Sequence, residues 1–262
     1  MSINPMKITA NIITLNEEHN IKDCINSLKS VCDEIIVVDS DSTDATVDIA
    51  RSLNASVISQ AYLGDGPQKN VVLNHAAHDW ILSIDADERL DDEMIGAIRA
   101  VKQKSKHPAA YSFKRKNYIG DRWIKHCGWY PDVCTRLYNR HEAKFRDVAG
   151  HSSVEAPSVK QLDGNIIHFS YKNYHDLLYK TNRFSSRGAK MLLDKNRKAN
   201  GFSPFIHFMA AFFRKYFLQK GFLQGLDGLT ISLTASINSY MKYAKLIEMR
   251  KSAESSDSLW EQ

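Results

Sequence analysis

The sequence predicts an α/β fold in which a mostly parallel sheet carries helices on both faces. Two observations predict it. Within the first 107 residues, short apolar runs alternate with segments of helical spacing, in a repeated β-α order. The mainly apolar run at residues 81–84, followed by a helical segment, is typical of a buried strand in a parallel sheet. After residues 107–108 (HP) the pattern changes, and it indicates a mixed sheet region followed by helices.

The first half is predicted element by element from its apolar spacing and its turn residues. The predicted strands cover residues 8–15, 34–38, 57–58 and 81–84. The predicted helices cover residues 21–28, a segment that Ser42 or Thr43 caps, residues 68–77 after the turn at 64–67, and residues 92–104.

The second half predicts strands at 110–118 and 133–139, joined by an aromatic loop, and short strands within 144–170. From residue 171 onward helices are expected, with a second helix beginning at Ser203 and Pro204 and breaks at Gly221 and Gly225. The predicted domains are residues 1–170, in halves 1–107 and 108–170, a helical extension at 171–251 and a flexible tail at 252–262.

Composition narrows the class of protein. The chain has 262 residues, 43% hydrophobic and 25% charged, which is ordinary for a globular protein. No run of eighteen apolar residues predicts a membrane span. The four cysteines form no C-x-x-C pair, which indicates free thiols and a cytoplasmic location rather than a zinc site. Residues 1–100 hold 17 Asp/Glu and 7 Lys/Arg, whereas residues 160–251 hold 5 and 16, so an acidic end and an anion-facing end are expected.

Carboxylates follow the predicted strands. Asp85 and Asp87 come directly after the fourth strand, where ligands of open α/β sheets gather. Two Asp residues two positions apart can face one hard cation, although Asp87 or Asp91 could equally cap the next helix. Glu17 and Asp39 follow the first and second strands in the same way.

Three motifs at these strand ends, residues 14–18 (TLNEE), 37–44 (VVDSDSTD) and 85–88 (DADE), resemble family 2 glycosyltransferases of the GT-A fold. Six later motifs look like the branch that adds a β-linked glucose to the heptose of the lipopolysaccharide inner core: 68–70 (QKN), 128–132 (GWYPD), 136–138 (RLY), 168–171 (HFSY), 182–184 (NRF) and 242–245 (KYAK). The resemblance implies a UDP-sugar donor, a Mg²⁺ or Mn²⁺ ion and an inverting displacement.

The resemblance also implies site residues. It assigns Thr14, Glu17 and Asp39 to the nucleoside, and the neighbouring Asn16 and Asp41 supply an amide and a carboxylate of the kind that a ribose diol and a base need. A Mg²⁺ or Mn²⁺ ion that neutralises the diphosphate is expected on Asp87, with Asp85 as a second candidate at the same site, and the resemblance adds His168 as a further metal ligand. Lys69, at the start of a helix, is a candidate for the phosphate oxygens, with a surface charge as the alternative.

The general base is left open. Relatives present His-Glu after an Asp-containing loop, whereas this chain has His151 followed by Ser152. Asp147, His151 and Glu155 are therefore all candidates, with a preference for a carboxylate. Trp123, Trp129 and Tyr130 are candidates for a sugar-stacking wall or for core residues.

The expected acceptor is a lipid-linked oligosaccharide, reached from the cytoplasmic face of the bacterial inner membrane. Phe-rich residues 202–222, with Arg214, Lys215 and Lys220 beside them, predict peripheral contact with an anionic bilayer, or else packing within the protein or on a second subunit. No nucleic-acid partner is expected, and oligomer formation is left open. The alternatives are a polyprenyl-phosphate sugar synthase and a non-catalytic nucleotide-sugar-binding partner in an envelope assembly complex.

Overall fold

The computed structural model describes residues 5–148 and 152–254. Within those ranges the chain forms two compact units, the first from residues 5–116, 131–148 and 152–169, the second from residues 117–130 and 170–254. His151 and residues 255–262 of the predicted tail lie outside the described residues. The division of residues 1–170 into a nucleotide half and an acceptor half stays a prediction.

Four parallel strands begin the first unit and confirm the predicted alternation. They are β1 (Ile8–Thr14), β2 (Glu34–Asp39), β3 (Ser56–Ser59) and β4 (Trp80–Asp85), in the sheet order β3-β2-β1-β4. Successive side chains of a strand point to opposite faces. Accordingly Val37 packs in one apolar core, whereas Ile36 and Val38 pack in another. Both faces of the sheet are therefore covered, as the continuous apolar runs predict.

The helices between these strands are α1 (Ile21–Leu28), α2 (Thr46–Ser52), α3 (Asp65–Asn70), continued by a 3-10 turn at Val71–Asn74, and α4 (Asp92–Lys102). The α1 helix buries Ile21, Cys24, Ile25 and Leu28, all on one helical face. Asp91 caps α4, because its side chain accepts a hydrogen bond from the backbone N–H of Met94.

Two predictions about helix starts are wrong. Neither Ser42 nor Thr43 caps α2, whose N-cap position is Ala45, because the Ser42 hydroxyl is engaged by Asp39 instead. The helix predicted from residue 68 begins at Asp65, since Gly64 in a left-handed-region conformation (φ 106°) already turns the chain into it.

The remaining strands complete a mixed sheet. They are β5 (Glu88–Leu90), β6 (Ala110–Ile119), β7 (Arg122–Trp123), β8 (Asp132–Asn139) and β11 (Val159–Tyr171), and a separate pair forms from β9 (Lys144–Phe145) and β10 (Val154–Glu155). The sheet order continues from β4 through β8, β6 and β11 to β5, and β4 pairs with β8 in antiparallel fashion. The predicted fold class is confirmed: an α/β fold whose sheet has a parallel part and a mixed region, followed by C-terminal helices.

The second unit is mainly helical, as predicted. Its helices are α5 (Tyr174–Asp194), α6 (Ser203–Phe213), a π-helical turn (Arg214–Leu218), a 3-10 turn (Gly221–Gln224) and α7 (Gly225–Glu254). Its core contains Ile119, Cys127 and Ile231, with Trp129 packed against it. None of the helices in the described ranges combines the length and the apolar run that crossing a bilayer requires.

Candidate active site

The carboxyl ends of three parallel strands lie at one edge of the sheet. In the register of the strands, Thr14 pairs with Asp39 on one side of β1, and Ile13 pairs with Asp85 on the other. Asp39 and Asp85 therefore flank the end of β1. This is the position at which open α/β sheets bind their ligands.

The loops after β1 and β2 hold each other in place through polar contacts. Asp39 is buried, and its carboxylate accepts hydrogen bonds from the N–H and the hydroxyl of Ser42. Ser42 in turn accepts a hydrogen bond from the N–H of Asn16 at 2.9 Å. Asn16 and Asp41 have φ angles of 55° and 64°, a backbone region that Asn and Asp tolerate better than most residues.

Of the two other predicted nucleoside residues, Glu17 belongs to the loop after β1 and Thr14 is the last residue of β1. The N–H of Glu17 donates to Thr46 at 2.8 Å, and the Glu17 carboxylate accepts from Asn20 at 2.7 Å. Thr14 is 5% exposed, and its hydroxyl has no hydrogen-bond partner among the described residues. A buried hydroxyl without a partner is costly, so a ligand that bonds to it at this edge would gain affinity.

A cleft of about 750 Å³ lies next to this edge, and its lining comes entirely from the first unit. A volume of this size suits a small-molecule ligand. The ionisable side chains that line it are the carboxylates Asp65, Asp85, Asp87 and Asp132, the cations Lys69, Arg115 and Arg136, and His168. The predicted nucleoside residues are not part of this lining.

Asp85 is the centre of the charges in the cleft. Its carboxylate lies 3.2 Å from Lys69 Nζ and 3.0 Å from Arg136 Nη2. Burial would raise the pKa of Asp85, but Arg136 and Lys69 outweigh it and hold that pKa well below its usual range. Asp85 is therefore ionised at neutral pH. Lys69 is 5% exposed and also pairs with Asp65 at 2.9 Å, so the alternative of an ordinary surface charge is wrong for Lys69.

A buried ion network supports Asp85 from behind. Glu88, which is fully buried, accepts hydrogen bonds from Arg136 Nη2 at 2.7 Å, from Arg115 Nη1 at 3.0 Å and from the N–H of Asp85 at 3.0 Å. Arg115 also donates to Asp132 through Nε and Nη2. The Nε atom of Arg136 is buried and has no partner among the described residues.

The sequence reasoning assigned no role to Glu88, Arg115 or Arg136. The sequence did contain one signal for a buried ion network: an arginine that lies within a predicted strand and is followed by apolar residues. Arg136, followed by Leu137 and Tyr138 in β8, is such an arginine. A charge at such a position is buried only when it is paired. Which carboxylate pairs with it depends on the strand register.

Asp87 and His168 come together although 81 positions of sequence separate them. β11 pairs with β5 so that His168 is opposite Glu88, and His168 Nε2 lies 3.4 Å from Asp87 Oδ2. A carboxylate and an imidazole suit Mn²⁺, and a carboxylate suits Mg²⁺. In the described ranges no cluster of three His, Cys, Asp or Glu side chains forms a complete metal cage. Two protein ligands fit an ion that is completed by water and substrate phosphates, as is usual for Mg²⁺.

Two of the three base candidates, Asp147 and Glu155, lie in the described residues and are not part of the cleft lining. The Asp147 side chain is 63% exposed and accepts from Asn70 Nδ2 at 3.0 Å, and the Glu155 side chain is 59% exposed and pairs with Arg146 Nε at 2.8 Å. Neither lines the cleft, and their catalytic role stays a prediction. Ser152, at the position where the resemblance leads us to expect an acid, does line the cleft, and its N–H donates to Asp65 at 2.8 Å.

The aromatic loop belongs to the second unit. Trp129 packs on Tyr171 with ring centroids 5.6 Å apart, as part of the core of that unit. Trp123 and Tyr130 contact each other edge to face at 5.3 Å. The core interpretation therefore accounts for Trp129, and a sugar-stacking role of the other two rings stays a prediction.

Comparison with known proteins identifies the family. The model of the glycosyl transferase family 2 matches residues 9–154. An uncharacterized glycosyltransferase of Rickettsia felis is 34% identical over 254 residues, covering 92% of this chain and 90% of its own. The lipopolysaccharide core biosynthesis glycosyltransferase LpsC of Rhizobium meliloti is 26% identical, with 93% of each chain covered. The crystal structure of S. aureus TarS 1–349 in complex with UDP-GlcNAc aligns with a TM-score of 0.49 at 17% identity, over 97% of this chain and 93% of that one. The chain belongs to glycosyltransferase family 2 and is of the GT-A type.

Proposed function

We propose that this glycosyltransferase moves a hexose, in the first place glucose, from a UDP-sugar to a lipid-linked lipopolysaccharide core or a related cell-surface oligosaccharide, with inversion at the anomeric carbon. The observation that supports it most is the cleft beside β4, where Asp85 and Asp87 meet Lys69, Arg136 and His168. Cations beside carboxylates at a strand end suit a diphosphate and its counter-ion.

The nucleoside of the donor is proposed to bind in the loops after β1 and β2. The buried hydroxyl of Thr14 offers a hydrogen bond that no described residue takes up. Asp39, one strand away, is held by Ser42, so its carboxylate is pre-oriented for a ribose diol. Glu17, Asn16 and Asp41 are proposed to complete this site.

The diphosphate is proposed to bind in the cleft. Lys69 and Arg136 neutralise Asp85, and both can also donate hydrogen bonds to phosphate oxygens. The Nε atom of Arg136 is the best placed to do so, because no described residue accepts a hydrogen bond from it. Asp87 and His168 would hold a divalent cation, which supplies Lewis-acid neutralisation of the departing diphosphate when it is bound. These residues need no large movement, because the ion network already fixes β4 against β8.

In the proposed reaction an acceptor hydroxyl gives its proton to a base and its oxygen forms the new bond to the anomeric carbon. On the opposite face the bond to the UDP oxygen breaks, and UDP leaves with that electron pair. Asp147, His151 and Glu155 remain the proposed bases from the sequence. Asp132 is a further carboxylate that lines the cleft, held there by Arg115.

The acceptor and the location are proposed from the relatives. The name of the Rhizobium meliloti relative assigns that protein to lipopolysaccharide core biosynthesis, and the two chains match over 93% of their lengths. A lipid-linked core oligosaccharide would place this enzyme peripherally on the cytoplasmic face of the inner membrane.

The test is UDP release from UDP-glucose with Mg²⁺ or Mn²⁺, with and without a core oligosaccharide acceptor, beside GDP- and dTDP-sugars as competitors. We expect turnover with UDP-glucose and its loss in Asp87→Asn, while Asp79→Asn, a matched change at an exposed carboxylate, keeps wild-type rates. Near-normal activity of Asp87→Asn would remove Asp87 from its proposed role. Transfer to polyprenyl phosphate instead of the oligosaccharide would indicate a polyprenyl-phosphate sugar synthase. Nucleotide binding without turnover would indicate a non-catalytic binding partner. Either result would refute the proposed function.

A further inference from the structure

The second unit exposes apolar side chains along one side of α6. Phe202, Phe205, Ile206, Met209 and Phe213 are each between 49% and 77% exposed. Positions 202, 205, 206, 209 and 213 follow one another at intervals that place all five side chains on a single face of a helix. The opposite side of the same helix is packed, since Pro204 and Ala211 are buried.

The exposed apolar surface continues beyond α6. Phe217 and Leu218 of the π-helical turn and Phe222 and Leu223 of the 3-10 turn are 49–67% exposed. On α7, which packs against α6, the exposed residues recur at intervals of three or four positions: Leu226, Leu229, Leu233, Ile237 and Tyr240. Surface patches of this extent are rare on monomeric soluble proteins and mark interaction sites.

Basic residues predominate in the chain segment that carries most of this surface, and Asp227 at the start of α7 is paired with Arg122. Residues 195–226 contain no Asp or Glu and six basic residues: Lys195, Arg197, Lys198, Arg214, Lys215 and Lys220. Lys215 donates to the carbonyl of Cys127 at 2.7 Å and is partly structural. Arg214 and Lys198 are exposed. We call the exposed apolar residues of 202–240 together with these six basic residues the apolar-basic face.

We infer that the apolar-basic face is a docking surface for an anionic lipid bilayer. An in-plane helix with aromatic and aliphatic residues on one face and basic residues beside them buries its apolar side at the headgroup boundary. Anionic lipids attract each nearby Lys or Arg. A second copy fits less well, because pairing this face with itself would bring two sets of six basic residues together.

This inference rests on the proposed function in one respect only: a lipid-linked acceptor would give the enzyme a reason to bind a bilayer. Its physical support is the exposure and the charge of the second unit alone. The two can therefore fail separately, and UDP release in the absence of acceptor and vesicles serves as the readout of the catalytic unit.

The apolar part is tested by Phe205→Gln, Ile206→Gln and Met209→Gln combined, because Gln is a good helix former and these positions are exposed. Vesicles of phosphatidylglycerol and phosphatidylcholine are sedimented with the full-length protein. We expect binding to fall on the order of 100-fold, as three side chains no longer insert. The matched control, Leu178→Gln with Met191→Gln on α5, removes equally exposed apolar side chains and should bind as the wild type does.

The charge part is tested by Lys198→Glu with Arg214→Glu. Since each basic residue near an anionic surface contributes roughly fivefold in affinity, the expected loss is at least about 25-fold on anionic vesicles. Lys22→Glu with Lys29→Glu, two exposed positions of the first unit, changes the net charge equally and should keep binding. On pure phosphatidylcholine the charge variant and the wild type should differ little.

Loss of binding in both test variants, with helicity and UDP release unchanged, supports the inference. Absence of wild-type binding to anionic vesicles, or equal binding by test and control variants, would overturn it. So would a wild-type dimer that the Gln variant converts to monomers without any change in vesicle binding, since the face would then join two copies. Vesicle binding without UDP release would leave the docking surface standing and reject the proposed function.

Discussion

Replacing Glu88 by Gln tests the buried ion network that holds the end of β4. Glu88 is fully buried and makes three hydrogen bonds, two from the guanidinium groups of Arg115 and Arg136 and one from the N–H of Asp85. Glutamine keeps the shape but brings an N–H₂ group that faces one of these donors, and it removes the charge. Removing one partner of a buried pair costs about 3–5 kcal/mol. Because Asp85 and Asp132 still neutralise the two arginines, we expect the lower end, about 3 kcal/mol.

The assay is urea denaturation at pH 7 followed by circular dichroism, with the free energy of unfolding compared between the variant and the wild type. Asp79→Asn is the control, because Asp79 pairs with Arg140 and His141 on the surface with its side chain 59% exposed. We expect that change to cost less than about 1 kcal/mol. If Glu88→Gln is destabilised no more than Asp79→Asn, the network does not stabilise the strand end and the reasoning is refuted.

Three other predictions concern single side chains. Burial would raise the pKa of Asp227, but its hydrogen bonds from Arg122 and a tyrosine lower it overall, so its stabilisation is present near neutral pH and is lost as the pH falls below the ordinary value of 3.8. Asp227→Asn should therefore cost about 1–3 kcal/mol in urea denaturation at pH 7 and almost nothing at low pH; an equal cost at both would contradict this. Gly164→Ala should cost about 3 kcal/mol, because φ is +92° and the new Cβ would lie 2.1 Å from a backbone nitrogen of α4. Gly96→Ala, with nothing within 4 Å, is its control in the same denaturation assay and should be neutral or stabilising. Thr14→Val should weaken UDP binding about tenfold by calorimetry without lowering stability, because its hydroxyl has no described partner to lose; unchanged affinity would exclude Thr14 from the nucleoside site.

Much of the parallel sheet could be predicted because its signals are local. The apolar-rich segments of β1 and β2 end at the polar residues Thr14 and Asp39, and the strands end there too. Helix starts were less accurate. Ser42 has the chemistry of a helix cap, but its hydroxyl bonds to Asp39 across the turn, a contact that capping preferences do not include.

Glu155 shows why the sequence can name a candidate base without giving its position. Glu155 is on a two-residue strand that pairs with β9, and its side chain meets Arg146 rather than the cleft. The alternation of side chains along a strand shows which residues share a face. The pairing with the neighbouring strand determines which residues that face contacts.

By itself the sequence determined the family, the parallel half of the sheet, the strand ends that carry Thr14, Asp39 and Asp85, and the helical second half. Only the tertiary structure decided which charges meet. Glu88, Arg115 and Arg136 come from three different strands, and His168 reaches Asp87 through the pairing of β11 with β5. The physical reason is that antiparallel pairing can slip by single residues at little local cost, and each slip turns every side chain to the other face. The register is set by the packing of the whole sheet. A sequence pattern therefore shows which charged residues are present, but not which of them pair with one another.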